Sequence, residues 1–134
     1  MREILFRGKR LDNGEWVHGF YVFAPNHFNH QEHLIQPVDE DGRLTTLRKV
    51  HPESVGQFTG VFDKNGKRIF EGDICRINNM NFKVVFAFPM WNFVSLSKKH
   101  FFYPFLSSHC GKQCEIVGNI YDNPELLEEE NGNQ

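Results

Sequence analysis

Hydrophobic and polar residues alternate with a period of two along most of the chain, a pattern typical of strands with one buried face. The alternation predicts strands at residues 3–7 and 15–23, and the Asp12-Asn13-Gly14 turn between them predicts a hairpin. One face of the second strand carries Trp16, His18, Phe20 and Val22. No long segment has the 3.6-residue period of a helix, so we expect little helix.

Further short strands follow, separated by turns rich in Gly, Asn, Asp and Pro. They are predicted at residues 33–38, 43–50, 61–62, 68–70, 74–77, 82–88, 93–97 and 115–121. The Asp63–Gly66 turn (DKNG) is the clearest hairpin loop, because Gly66 suits a left-handed backbone. The most apolar strand is predicted to place Phe82, Val84, Phe86 and Phe88 on one side.

These elements predict a mainly β fold in two parts. Residues 1–58 form an N-terminal β-hairpin and meander region, and residues 59–124 have the size and turn spacing of a small SH3-like β-barrel. Asn123-Pro124-Glu125 predicts a short C-terminal helical turn, with Asn as the cap and Pro at the first helical position. Residues 125–134 are expected to be an acidic, frayed tail.

The charge is unevenly distributed along the chain. Residues 1–124 carry 15 lysines and arginines against 13 aspartates and glutamates, whereas residues 125–134 carry four glutamates and no base. A near-neutral body with an acidic tail is a poor electrostatic match for nucleic acid.

The three cysteines, Cys75, Cys110 and Cys114, are an odd number and no secretory signal precedes them. No apolar run approaches the ~18–20 residues that a membrane helix needs. We therefore expect a cytoplasmic protein with reduced thiols and no membrane association.

Three blocks of sequence are specific enough to indicate a family. They are MREILFRGKRLDNGEWVHG at the start, VGQFTGVFDKNGKRIFEGDI in the middle and IVGNIYDNPELL near the end. In this order they resemble the YopX family, which is found in phages and prophages. The resemblance implies a β-rich fold with an SH3-like barrel in the C-terminal half, and a homo-oligomer, but no activity. The chain departs from the family pattern at Cys75, where an aliphatic residue is usual, and over residues 98–114.

Two groups of residues could hold a metal, each with a simpler alternative. His109, Cys110 and Cys114 barely satisfy the spacing of a structural zinc site and lack a second ligand pair. Free thiols in a loop, with Cys75 buried in a strand as a small apolar residue, are the simpler interpretation. His27, His30 and His33 recur every third residue, but in a segment that reads as a solvated loop. We expect no metal and no cofactor.

Two further patterns could suggest an enzyme. His109 and Cys110 are adjacent in sequence, and adjacent residues rarely face each other as a base and a nucleophile must. Asp63 and Asp73 could act as paired carboxylates, but turn chemistry explains both, because Asp side chains bind nearby backbone N–H groups. The sequence therefore predicts a non-enzymatic protein, with a metal-dependent enzyme as the remote alternative.

The aromatic run FFYPF has two interpretations. As an interaction surface it would place Phe101, Phe102, Tyr103 and Phe105 in a contact between copies of the chain, since Phe and Tyr are enriched at interfaces. As part of a small barrel that binds a single nucleic-acid strand, it would stack bases beside a basic groove. The basic residues of that alternative are Lys64, Lys67, Arg68, Arg76, Lys98 and Lys99.

The charge distribution favours the interface. We therefore expect a self-assembling interaction module whose partner is itself, with a phage or host protein as a further possible partner. A weak binder of single-stranded nucleic acid is the alternative.

Overall fold

A computed structural model describes residues 3–25, 31–87, 90–95, 102–103 and 112–126. Over these residues the chain is mainly β, as predicted, and a short 3-10 helix covers Pro52–Ser54. The strands are β1 Phe6–Lys9, β2 Trp16–Pro25, β3 Gln31–Gln36, β4 Arg48–Lys49, β5 Gly56–Phe62, β6 Arg68–Phe70, β7 Asp73–Ile77, β8 Met80–Ala87, β9 Met90–Ser95, β10 Phe102–Tyr103 and β11 Glu115–Asn119.

The chain divides into two compact units between Phe58 and Thr59, within β5. In the N-terminal unit the strands pair antiparallel in the order β4-β3-β2-β1-β5. The predicted hairpin is confirmed: β1 pairs with β2 from Phe6 opposite Gly19 to Lys9 opposite Trp16.

The predicted strand over residues 43–50 is mostly wrong. Strand β4 has only two residues, and the preceding segment pairs through one bridge between Val38 and Leu44. The loop inside that bridge is held by Asp39, whose Oδ1 accepts hydrogen bonds from the backbone N–H groups of Asp41 and Arg43. After the bridge, residues 45–47 are not in a strand, and the backbone oxygen of Thr45 accepts a hydrogen bond of 2.6 Å from the Gln36 side chain, which occupies an acceptor that strand pairing would use.

Two glycines let strands of the N-terminal unit come close together. A Cβ atom on Gly8 would lie 2.9 Å from the side chain of Val50, which is buried in the core of this unit. A Cβ atom on Gly19 would lie 2.0 Å from the backbone oxygen of Gln36. Gly19 is therefore a position where two backbones approach too closely for a side chain.

The C-terminal unit contains a five-stranded antiparallel sheet in the order β10-β9-β8-β7-β11. Strands β7 and β8 are joined by Asn78 and Asn79, both with positive φ (52° and 66°), as a tight two-residue hairpin turn requires. The core packs residues of these strands together with β6: Ile69, Cys75, Ile77, Phe82, Val84 and Cys114.

The predicted SH3-like barrel is not confirmed. A barrel closes only when its first and last strands pair with each other. In the described part of the chain β10 pairs with β9 and β11 pairs with β7, and both remain at the edges of an open sheet.

The predicted C-terminal helical turn is not described as an element: only Glu125 and Leu126 have helical backbone before the description ends. The Asn123 Oδ1 accepts a hydrogen bond from the backbone N–H of Asn119, 3.1 Å away. The same side chain leaves no room for a Cβ atom on Gly118. Asn123 therefore fixes the turn that follows β11, and the description of the chain ends at Leu126.

Candidate functional site

Strand β10 contains two of the four residues predicted to mediate self-assembly. Phe102 and Tyr103 pair antiparallel with Val94 and Phe93 of β9 and form an outer strand of the five-stranded sheet. The other two, Phe101 and Phe105, lie outside the described residues. An outer strand presents one row of backbone N–H and C=O groups that its own sheet does not use.

The basic residues of the nucleic-acid alternative are only partly brought together. Lys64, Lys67 and Arg68 lie on or beside the loop joining β5 and β6, and the Arg68 guanidinium sits 5.7 Å from the ring centre of Phe62. Arg76 is elsewhere, on β7, where its Nε donates a hydrogen bond to Asn81. Lys98 and Lys99 lie outside the described residues.

The loop between β5 and β6 is fixed by the buried carboxylate of Asp63. Its Oδ1 accepts hydrogen bonds from the backbone N–H groups of Asn65 (2.8 Å) and Lys67 (2.9 Å), and its Oδ2 accepts one from Ile116 at the start of β11 (3.1 Å). Lys64 adds a backbone hydrogen bond to Cys114 and an ion pair with Glu115 at 3.5 Å. Asp63 is therefore a structural residue that ties the loop to the edge strand β11.

Asp73 has a comparable role in the next turn. It is buried, and its Oδ2 accepts a hydrogen bond of 2.7 Å from the backbone N–H of Phe70. The geometry agrees with the turn interpretation of both aspartates rather than with paired catalytic carboxylates.

Cys75 and Cys114 meet in the core of the C-terminal unit. Both are fully buried and neither is in a disulfide. Their thiols share a hydrogen bond, which together with burial raises the pKa of Cys75 far above its ordinary value. Because the thiolate is the form that reacts and binds metals, Cys75 is held in its unreactive form.

Most of the residues weighed as metal ligands lie outside the part of the chain that the structure describes. His109 and Cys110 lie outside it, as do His27 and His30. Among the described residues, no group of three or more His, Cys, Asp and Glu side chains could hold a metal ion.

His33 contributes instead to a small groove in the N-terminal unit. Its Nδ1 and the Tyr21 hydroxyl share a hydrogen bond of 2.5 Å, and its ring lies against those of Tyr21 and Phe23. The groove has a volume of about 240 Å³ and is lined by Leu11, Glu32, His33, Lys49, Val50 and Pro52. Glu32 and Lys49 form an ion pair of 3.4 Å within this lining. These side chains include no Cys or Ser nucleophile.

One cluster was missed by reasoning from the sequence. The β1–β2 pairing places Arg7 opposite His18 and Lys9 opposite Trp16. Both cations lie over the Trp16 ring, with the Arg7 Cζ at 4.7 Å and the Lys9 Nζ at 5.7 Å from its centre. Strand alternation did predict the shared aromatic face of β2, but only the register of the hairpin adds the two cations to it.

The comparisons with known proteins agree with this fold. The model of the YopX protein family matches residues 5–128, almost the whole chain. The chain belongs to the YopX family. No curated protein matches it. Among solved structures, protein EF1440 from Enterococcus faecalis is similar, with a TM-score of 0.53 and 19% sequence identity over 95% of this chain and 99% of that one. At this identity the likeness shows the fold alone.

Two of the blocks that carry the YopX resemblance meet in the structure. The middle block supplies Asp63, and the last block begins at Ile116, whose backbone N–H donates to that carboxylate. The residues that resemble the family at these positions thus connect a loop to a strand. No helix of the described residues is long and apolar enough to span a membrane.

Proposed function

We propose that this YopX-family chain is a non-enzymatic, phage- or prophage-derived protein of the host cytoplasm that self-assembles through strand β10. The observation that carries the proposal is the position of Phe102 and Tyr103, an aromatic pair on an outer strand of the five-stranded sheet. Two copies that pair β10 with β10 in antiparallel fashion would form a symmetric contact, the commonest arrangement of homodimers.

Backbone hydrogen bonds would determine how the two copies are oriented in such a contact. An edge strand gains hydrogen bonds when a second strand is added to the sheet, and the aromatic side chains add apolar area. Phe101 and Phe105 belong to this proposed contact as the neighbours of β10 in sequence. A phage or host protein could be bound through the same edge.

The proposal of a non-enzymatic role is supported by the state of the groups suggested for chemistry. Cys75 and Cys114 are buried in the core, and Asp63 and Asp73 bind backbone N–H groups. These contacts stabilise the fold. We propose no metal or cofactor for the chain.

A pair of lysine substitutions tests whether self-assembly uses this edge. Lysine on an edge strand opposes strand addition, so Tyr103→Lys is expected to shift the sedimentation coefficient from an oligomer to a monomer. Val117→Lys on β11, the opposite edge of the same sheet, makes the same change of charge and serves as the control. Dissociation by the control alone would assign the contact to β11 and contradict the proposal.

Single-stranded nucleic-acid binding is the second candidate. The specific observation in its favour is the loop between β5 and β6, which carries Lys64, Lys67 and Arg68, with the Arg68 guanidinium 5.7 Å from the centre of the half-exposed ring of Phe62. A cation beside an exposed ring is a common platform for a base and its phosphate. The ion pair between Lys64 and Glu115 weakens this candidate, because it offsets one of the three charges.

The second candidate is tested by titrating a labelled oligonucleotide at two salt concentrations. Binding through the loop predicts that Lys64→Gln with Lys67→Gln weakens affinity and its dependence on salt. Absence of salt-sensitive binding in the native chain at low salt would remove this candidate.

A further inference from the structure

The hairpin of β1 and β2 carries a ladder of aromatic side chains beside two cations in the N-terminal unit. Residues at every second position of a strand point to the same face, so Trp16, His18 and Phe20 share one face of β2. The register places Arg7 and Lys9 on the same face of β1, opposite His18 and Trp16.

Two of the three rings of the ladder are exposed. Trp16 is partly buried beneath the two cations, His18 is exposed, and 53% of Phe20 is exposed. An aromatic ring with half its surface in water contributes little to a core. The cation–π contacts at Trp16 hold the two positive charges next to the exposed rings.

The spacing of the ladder suits an extended polymer with a ring and a negative charge in each unit. Side chains two residues apart on a strand are separated by about 6.8 Å. That distance is close to the step between nucleotides of an extended single strand. Rings and cations repeated at this interval can stack successive bases and contact successive phosphates.

We propose that this face, made of Arg7, Lys9, Trp16, His18 and Phe20, binds single-stranded nucleic acid. Phe20 and His18 stack bases, and Arg7 and Lys9 contact phosphates. The face is separate from the loop between β5 and β6, and the proposal does not depend on self-assembly through β10. Because only two cations take part, affinity is modest and falls only gently with salt.

Matched phenylalanines on the two faces of β2 test the stacking role. Phe20→Ala is compared with Phe23→Ala, since Phe23 is 49% exposed, lies on the same strand and points to the opposite face. The probe is a fluorescent oligothymidylate of about 12 nucleotides, within the range of known single-strand sites. Loss of one stacked base predicts a drop in affinity of between about 5-fold and 150-fold for Phe20→Ala. Phe23→Ala is expected to bind like the native chain.

Matched charge removals test the phosphate contacts. Arg7→Gln with Lys9→Gln removes two charges from the ladder, and Lys64→Gln with Lys67→Gln removes two from the loop. The first variant is expected to reduce the slope of log affinity against log salt by about 1.4, at about 0.7 per single-strand phosphate contact. The second is expected to leave the slope unchanged. Circular dichroism and thermal melting establish that each variant is folded.

Each outcome decides the proposal. It is overturned if the native chain shows no salt-sensitive binding at low salt, if only the loop variant loses affinity, or if Phe20→Ala and Phe23→Ala bind equally. Competition by polyglutamate as effective as that by unlabelled oligothymidylate would indicate a general preference for anions and would also overturn it. A monomeric chain that binds the oligonucleotide through Phe20 would support this proposal while contradicting self-assembly.

Discussion

At the scale of single residues, two loops of similar sequence differ in what their aspartate stabilises. In residues 39–43 (DEDGR) and 63–67 (DKNGK) the Asp Oδ1 accepts two backbone N–H groups of its own loop, and the Gly has a positive φ. Among the described contacts of these two carboxylates, Asp63 alone binds outside its own loop, where its Oδ2 accepts a hydrogen bond from the backbone N–H of Ile116. It is also 5% exposed, whereas Asp39 is exposed.

This difference predicts unequal effects of two identical substitutions. Asp63→Ala leaves three backbone donors without their partner, two of them in its own loop and one in β11, and is expected to lower the free energy of unfolding by roughly 2–4 kcal/mol. Asp39→Ala is expected to cost below about 1 kcal/mol, because water replaces the lost acceptor at an exposed loop. Urea unfolding of both variants measures the two effects. Equal losses would contradict a special role for the bond to Ile116.

The thiol of Cys75 predicts a pH dependence with a definite sign. Its pKa is raised by the hydrogen bond with Cys114 and by burial, so the folded chain keeps a proton that the unfolded chain releases above about pH 9. The free energy of unfolding is therefore expected to fall with rising pH in that range, by up to about 1.4 kcal/mol per pH unit from this group.

The pH dependence of the native chain is compared with that of Cys75→Val, which replaces the thiol by an aliphatic side chain. The variant is expected to lose that part of the alkaline destabilisation while other groups continue to titrate. Urea unfolding of both proteins between neutral pH and pH values above about 9 measures the difference. Parallel curves for the two proteins would show that Cys75 is not held protonated.

At the scale of elements, the contact between Gly8 of β1 and Val50 after β4 limits both positions. A Cβ atom at Gly8 would lie 2.9 Å from Val50 side-chain atoms, and Val50 is fully buried. We expect Gly8→Ala to cost about 1–3 kcal/mol by overpacking and Val50→Ala to cost roughly 2–4 kcal/mol by leaving a cavity.

Together the two substitutions are expected to compensate in part, because Val50→Ala removes the two Val50 methyl groups that a Cβ atom on Gly8 would meet, although the Val50 Cβ remains. The double variant should be more stable than the sum of the single effects predicts, by at least about 0.5 kcal/mol. A double-mutant cycle measured by chemical denaturation tests this coupling. Strict additivity would contradict direct packing between these positions.

The elements also show what the sequence could and could not predict. Period-two alternation located most strands, because burial of one face of a strand requires an apolar residue at every second position of that strand. It extended β4 too far, because the alternation from residue 43 suggested a strand where the chain makes only the bridge between Val38 and Leu44 before β4. Strand β10 and its outer position among the described strands of its sheet were not predicted, because pairing between strands depends on residues distant in sequence.

The candidate sites were predictable to a similar extent. The composition of FFYPF indicated an interaction segment, but not that Phe102 and Tyr103 form an outer strand. The aromatic face of β2 followed from alternation, whereas the cations above Trp16 required the register of the hairpin. The simpler alternative to zinc placed Cys114 as a free thiol in a loop, but the residue packs in a core with Cys75.

At the scale of the whole molecule, the two proposed contacts use different parts of the described chain, one a sheet face and the other a sheet edge. The N-terminal unit carries the aromatic and cationic face, and the C-terminal unit carries the edge strand β10. Residue-level contacts such as those of Asp63 and Cys75 stabilise the C-terminal unit in which that edge lies. The central proposal is that copies of the chain associate through it.

Sedimentation velocity of the full chain, at concentrations from below to above about 1 μM, tests that proposal most directly. This concentration corresponds to an association free energy of about −8 kcal/mol. We expect a reversible oligomer at micromolar concentration, and a shift of Tyr103→Lys to the monomer under the same conditions. A native chain that sediments as a monomer throughout the micromolar range would contradict self-assembly.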